Sequence, residues 1–236
     1  MKPQTPPRLV LIDDPLSATS EAYRVLRTNL HYANPNAPLR RILVTSAAPT
    51  EGKSTTVSNL GVALAQTERS VLLVDADLRR PILHLIFNQR PSPGLTSYLA
   101  GEGSFQAAIV KTSIPNLSLA PSGRIPPNPA ELLASRRMRE FLDAAVEKYD
   151  VVLLDSPPVL PVTDACALAA MMDGVVLVVG SGTTPEGAVR RAKEQVEAAH
   201  GKIVGVVVNR LETKSDGYSR YYRYYGKEAR QIRPPS

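Results

Sequence analysis

A single cysteine, no internal repeat and no long apolar run narrow what this chain can be. Cys166 alone allows neither an internal disulfide nor a four-cysteine metal site. It reads as a small helical residue turned inward, and such sparing use suits a reducing compartment. No stretch approaches the ~18 apolar residues that cross a bilayer. The N-terminal MKPQTPPRLVLIDDP has only four apolar residues in a row, too few for a secretory signal. Any membrane role is expected to be borrowed from a partner, unless the domain was cut from a longer chain.

What the chain does have is alternation. Its 236 residues are 43% hydrophobic, enough for a core. Residues 1–16 are Pro-rich and expected to be extended. A helix is predicted over 17–33, with Ala22, Leu26, Leu30 and Ala33 on one face and Glu21, Arg24 and Arg27 opposite. Apolar strands follow at 41–46, 71–75, 117–120, 151–155, 174–180 and 203–209. Helices are predicted at 53–66, 95–99, 105–110, 130–148, 163–172 and 185–199. Buried strands separated by helices imply an α/β fold, a mostly parallel sheet with helices on both faces. The domain is placed at 17–213, with residues 214–236 as a flexible tail.

Three motifs fall at strand ends. Ala47-Ala-Pro-Thr-Glu-Gly52-Lys53-Ser54 lies between a strand and a helix and has P-loop spacing, with Ala47 in place of the first glycine. Backbone N–H groups and a helix N-terminus favour phosphate there, and Gly52 permits close approach. Lys53 supplies a mobile charge for the β- and γ-phosphates, and the Ser54 hydroxyl suits Mg²⁺. Asp75, Asp77 and Arg79 cluster after the second strand. Leu154-Asp155-Ser-Pro-Pro158 resembles a Walker B motif. All three meet beyond the carboxyl ends of a parallel sheet. Asn209, ending the last strand, is placed to read an adenine edge.

The tail supplies the other half of a reaction. Five of the nine tyrosines, Tyr218, Tyr221, Tyr222, Tyr224 and Tyr225, fall in YSRYYRYY. From Lys214 onward the chain carries +4 of its net +6 charge. A phenol hydroxyl accepts a phosphoryl group, and a P-loop with carboxylates presents one, so the chain is read as modifying its own tail. A basic tail also suits anionic lipid or an acidic partner.

Together these residues resemble the bacterial tyrosine kinases (BY-kinases) of capsule and exopolysaccharide synthesis, a family with a P-loop NTPase fold. Pro49-Thr50-Glu51-Gly52-Lys53-Ser54-Thr55 looks like their Walker A and Leu72–Arg79 like their extra A′ motif. Leu153–Pro158 looks like their Walker B, and Glu21-x-x-Arg24-x-x-Arg27 like their ring-assembly motif. Pro127-Asn128-Pro129-Ala-Glu131-Leu-Leu133 is also similar. The resemblance spans about residues 10–226. It implies ATP at residues 49–55, with Asn209 and Arg210 beside it. It implies Lys53 on the phosphates and Mg²⁺ at Ser54, Asp75 and Asp155. Asp77 is the candidate to orient or deprotonate the phenol, a role equally open to Asp75. Arg79 either stabilises developing charge or pairs with a carboxylate. The resemblance further implies a homo-oligomeric ring, a transmembrane co-polymerase or adaptor as activator, and a tyrosine phosphatase. The implied location is cytoplasmic, at the inner face of the plasma membrane.

Two other functions compete. A partition or septum-positioning ATPase shares the fold, but that type carries a second lysine where this chain has Ala48. A nitrogenase iron protein type is excluded by the single cysteine. A single-stranded nucleic-acid binder would use the Tyr/Arg tail for stacking and charge. It is the less favoured reading, and no nucleic acid is expected.

Overall fold

The computed structural model describes residues 8–34 and 37–211. The tyrosine cluster therefore lies outside the described residues.

In chain order the elements are α1 (Val10–Asp13), α2 (Ala18–Tyr32), β1 (Arg41–Ser46), α3 (Lys53–Ala65), β2 (Val71–Asp75), α4 (Leu83–Ile86), α5 (Leu95–Leu99) and β3 (Val110–Lys111). Then come β4 (Leu117–Ala120), α6 (Pro129–Leu133), α7 (Arg136–Lys148), β5 (Val151–Asp155), α8 (Asp164–Ala169), β6 (Gly174–Gly180), α9 (Glu186–Ala198) and β7 (Ile203–Asn209). The strands form one seven-stranded sheet in the order β3-β4-β2-β5-β1-β6-β7. Every pairing is parallel except β3 with β4. β2 and β5 are buried at every position, as strands covered on both faces must be.

Two hydrophobic layers sandwich the sheet. On one face Leu11, Leu30, Val57, Leu60 and Leu83 pack over Val44, Leu73 and Leu153. On the other Leu95, Met138, Phe141, Leu168 and Val196 pack over Leu43, Leu72 and Leu177. α3 is buried almost all round because α2 lies outside it. Gly61 lets α3 approach the sheet closely: a Cβ there would sit 2.8 Å from the Leu73 side chain.

The predicted elements differ from the structure in four places. The N-terminal segment is not wholly extended: α1 forms because Leu11 is buried beneath it, and the buried Ser20 hydroxyl lies on the Val10 and Asp14 carbonyls. The helix predicted over 130–148 is two, because the Ser135 hydroxyl caps the Met138 N–H at 3.2 Å and restarts the chain as α7. Residues 105–110 are turns that run into β3, which pairs antiparallel with β4. α2 buries the predicted face only in part: Leu26, Leu30 and Ala33 pack inward, but Ala22 is exposed and Tyr23 and Arg27 turn toward α3 instead.

Candidate active site

β1 turns into α3 through residues 47–52, and the turn needs special backbone. Gly52 sits at φ +96°, in the left-handed region that glycine tolerates best. A Cβ there would also meet the Asn209 Nδ2 at 2.0 Å. Thr50 adopts φ +64°. The loop is braced from below. Buried Glu51 accepts the Ala48 N–H at 2.8 Å and the Thr184 hydroxyl. Asn209 donates its amide to the Glu51 carbonyl at 3.0 Å, and its oxygen accepts the Arg210 N–H at 2.9 Å. The Arg210 guanidinium donates to the Thr50 carbonyl. The Asn209 side chain thus bonds the backbone at Glu51 and at Arg210, beside the phosphate loop. Its role here is a strut between β7 and the P-loop.

Lys53 opens α3 and is only 7% exposed. It faces Asp155, the last residue of β5. Asp155 and Asp75 are register partners on adjacent strands, and both are fully buried. Burial pushes the Asp155 carboxyl up to about 7; Lys53 and the Ser54 hydroxyl pull it back, and Asp77 raises it. Asp75 lies well above the usual carboxylate range, through burial first and then the charge of Asp155. One Asp75 oxygen accepts the Ile82 and Leu83 N–H groups at 3.1 and 2.9 Å. Its other oxygen and both Asp155 oxygens meet no partner at hydrogen-bonding geometry, although Ser54 and the Ser156 amide stand close enough to favour an ionised Asp155.

Buried orphan oxygens of this kind call for a counter-charge. Among the described residues no group of three or more His, Cys, Asp or Glu forms an all-protein metal cage. The donor set therefore fits a cation shared with phosphate oxygens and water, the way Mg²⁺ is ordinarily held.

Asp77, 8% exposed, accepts the Arg80 N–H at 3.0 Å. Arg79 grips both oxygens of Asp164, at 2.9 and 3.0 Å. Of the two roles left open for Arg79, the structure has the carboxylate pair. Taking the arginine away would strand a buried carboxylate, a change worth about 3–5 kcal/mol. Asp164 and Thr184 were not legible as site residues: one reads as an ordinary helix-opening acid, the other as a loop threonine.

The ring-assembly motif is partly occupied within the chain. Arg24 pairs with Glu21 at 3.0 Å, and Arg27 donates to the Ala63 carbonyl at 3.0 Å. Glu21, Pro49, Thr50 and Arg210 are exposed, and Ser54 and Thr55 half-buried. Tyr218, Tyr221, Tyr222, Tyr224 and Tyr225 fall outside the described residues.

Comparison with known proteins agrees with this geometry. Residues 41–194 match the AAA domain family. The tyrosine-protein kinase YwqD of Bacillus subtilis is 41% identical over 220 residues, covering 92% of this chain and 91% of that protein. CapB of Staphylococcus aureus, described as a putative tyrosine-protein kinase, is 33% identical over 93% of this chain and 96% of its own length. The tyrosine-protein kinase wzc of Salmonella typhimurium is 33% identical, but the match spans only 30% of it. Among solved structures, the chimerical protein CapA2B2 superposes with TM-score 0.83 and 40% identity over 87% of this chain and 90% of that one. The kinase domain of the Escherichia coli tyrosine kinase ETK gives 0.82 and 33% over 91% and 86%. The septum-site-determining protein MinD of Pyrococcus horikoshii, with Mg-ADP, gives 0.64 and 27% over 75% and 72%.

Fold and site together define a P-loop NTPase-like enzyme whose sheet carries an additional acidic strand end beside the phosphate loop. The chain belongs to the bacterial tyrosine-protein kinase family. It is a protein-tyrosine kinase.

Proposed function

We propose that the chain transfers the γ-phosphoryl group of ATP to the tyrosines at 218, 221, 222, 224 and 225 of a neighbouring copy, with Mg²⁺ required. The observation that carries this is the convergence of Lys53, Asp75, Asp77 and Asp155 at adjoining strand ends, with carboxylate oxygens still unpartnered. Phosphoryl transfer asks chiefly for positioning and charge neutralisation. Lys53 and the backbone N–H groups of residues 50–55 hold the phosphates. Ser54, Asp75 and Asp155 would hold Mg²⁺, which supplies positive charge against the phosphates. Asp75 is already committed to two backbone amides, so Asp77 is the better candidate to take the phenol proton. A phenol of pKa ~10 is barely ionised at neutral pH and benefits from such a base. The phenol oxygen bonds to the γ-phosphorus, the bond to the β–γ bridging oxygen breaks, and ADP leaves.

Transfer between molecules is the favoured route. Tyr218 follows Asn209 by nine residues, a span of at most ~30 Å, so length permits self-reach. The tail would still have to reverse at the strand end, whereas a neighbour's site is entered directly. The exposed Glu21 and half-buried Arg24 on α2 are the proposed contact, and Arg27 contributes from the α2–α3 seam.

The relatives' names support the kinase activity; the wider proposal is a role in capsular or exopolysaccharide synthesis, with a membrane-spanning co-polymerase as activator and a phosphatase to reset the tail. Among the described residues no helix is long and apolar enough to cross a membrane. A location at the inner membrane face is therefore proposed through that partner. The test is phosphotyrosine on purified protein given ATP and Mg²⁺. The likeness to MinD favours one alternative, an ATPase switch, which would consume ATP and leave every tyrosine unmodified.

A further inference from the structure

Asp164 is fully buried and has no part in the reaction just described. Both its oxygens are taken by Arg79, whose side chain is 41% exposed. The pair joins the loop after β2 to the start of α8, and each end is informative.

The loop from Asp75 to Leu83 is fastened at its base. The Ala76 N–H donates to the Asp155 carbonyl at 2.9 Å, and Asp75 receives the amides of Ile82 and Leu83. Its tip, residues 77–80, carries the proposed base. The hydrogen bond from the Arg80 N–H to Asp77 lies wholly within that tip, so it shapes the turn without locating it. Leu78 is buried beneath, which holds the backbone down but sets no direction. Among the described residues, the hydrogen bonds from the tip to another element are those of Arg79 to Asp164.

The segment five to eight residues before Asp164 is in turn tied to the end of β1, where the phosphate loop begins. The Ser156 N–H donates to the Val44 carbonyl at 3.2 Å and the Val159 N–H to the Ser46 carbonyl at 2.8 Å. The Thr45 hydroxyl donates to the Pro157 carbonyl at 2.9 Å. A two-point guanidinium–carboxylate contact fixes orientation as well as distance.

We infer that Asp164 is a positioning residue, holding Arg79 so that Asp77 stays registered against the P-loop during transfer. The inference rests on the kinase reading and deepens it.

The experiment compares Asp164→Asn, Arg79→Ala, Arg79→Lys and the Asp164→Asn/Arg79→Ala double variant. Tyrosine phosphorylation at saturating Mg-ATP is measured beside the dissociation constant for ATP and the melting temperature. Each single change is expected to lower the transfer rate on the order of 10²-fold, the usual penalty for a small misplacement of a reacting group. ATP affinity should move only a few-fold, because the phosphate-holding residues stay put. Arg79→Lys keeps the charge but loses the fork and should not rescue. The double variant should be no slower than the slower single, as expected when two residues act as one unit. Multiplied losses in the double variant, an ATP affinity that falls in step with the rate, or Arg79→Lys at wild-type rate would each overturn the clamp. If Asp164→Asn does not fold, Arg79→Lys still decides. A wild-type protein that makes no phosphotyrosine overturns the proposed transfer to its own tail, whereas active wild type with unaffected variants overturns the clamp alone.

Discussion

Asp75 and Asp155 stand side by side as register partners at the ends of β2 and β5, both fully buried and with three unpartnered oxygens between them. Two carboxylates so placed cannot both ionise easily without a cation. The pair explains why one site can collect Mg²⁺ and phosphate, and why its metal-free form should be sensitive to pH.

The sign of that sensitivity is fixed. Asp155 is raised to about 7, and Asp75 also lies high. From an unfolded value of about 4 up to about 7, the folded chain holds more protons than the unfolded one. Stability of the metal-free protein should therefore fall as pH rises through that window. Denaturant unfolding in chelator at about pH 5 and about pH 7.5 checks this, with the lower pH expected to be the more stable. Mg-nucleotide binding should release protons near neutral pH, read by calorimetry in buffers of different ionisation enthalpy. Proton uptake would contradict the assignment.

Gly52→Ala should damage nucleotide binding for two separable reasons. The left-handed backbone costs an alanine about 1–2 kcal/mol, and its Cβ would strike Asn209 at 2.0 Å. ATP affinity should drop by at least about tenfold, or ~1.4 kcal/mol. Adding Asn209→Ala should recover part of the loss by removing the clash, while also removing a strut from the loop. Asn209→Ala alone measures the strut's share, and a double variant no better than the product of the two single losses would remove the clash from the account.

Lys53→Met should abolish phosphate incorporation while leaving the fold intact, since the ammonium faces the carboxylates rather than apolar core. Mixed with a chain lacking residues 215–236, the Lys53→Met protein should become phosphorylated on its tail. A tail that stays bare in that mixture, while wild type reacts, would show transfer within one molecule.

Much of this was written in the sequence, and the rest was not for identifiable reasons. Strand runs such as VLLVD and VVLLD are apolar throughout and end on aspartate, so the sheet and its acidic rim were readable. On α2 the period-3.6 stripe found Leu26, Leu30 and Ala33 but not Tyr23, which packs inward, or Arg27, which reaches the Ala63 carbonyl. The break at Ser135 was hidden by helix-favouring neighbours on both sides. Arg79–Asp164 and Asn209–Glu51 join residues 85 and 158 positions apart, and no local spacing announces such a pair.

Phosphorylation should also dismantle the oligomer. The tail begins at +4. Each phosphate adds roughly −1.5 to −2 charges, so five add on the order of −8 to −10 and reverse its sign. A neighbour's Asp75, Asp77 and Asp155 would then repel it. Light scattering before and after ATP, with a variant carrying Tyr→Phe at all five positions as control, should show a fall in mass only for wild type. An unchanged mass after full modification would leave assembly to α2 alone.

The central claim is that this site moves phosphate onto this chain's own tyrosines, and intact-mass spectrometry after incubation with ATP and Mg²⁺ tests it most directly. The expected spectrum is a ladder of up to five added phosphoryl groups, matching the five tyrosines of the cluster. The ladder should be absent with Lys53→Met alone and with the five-fold Tyr→Phe variant. A single unmodified mass from wild type, with ATP converted to ADP in the same tube, would contradict it.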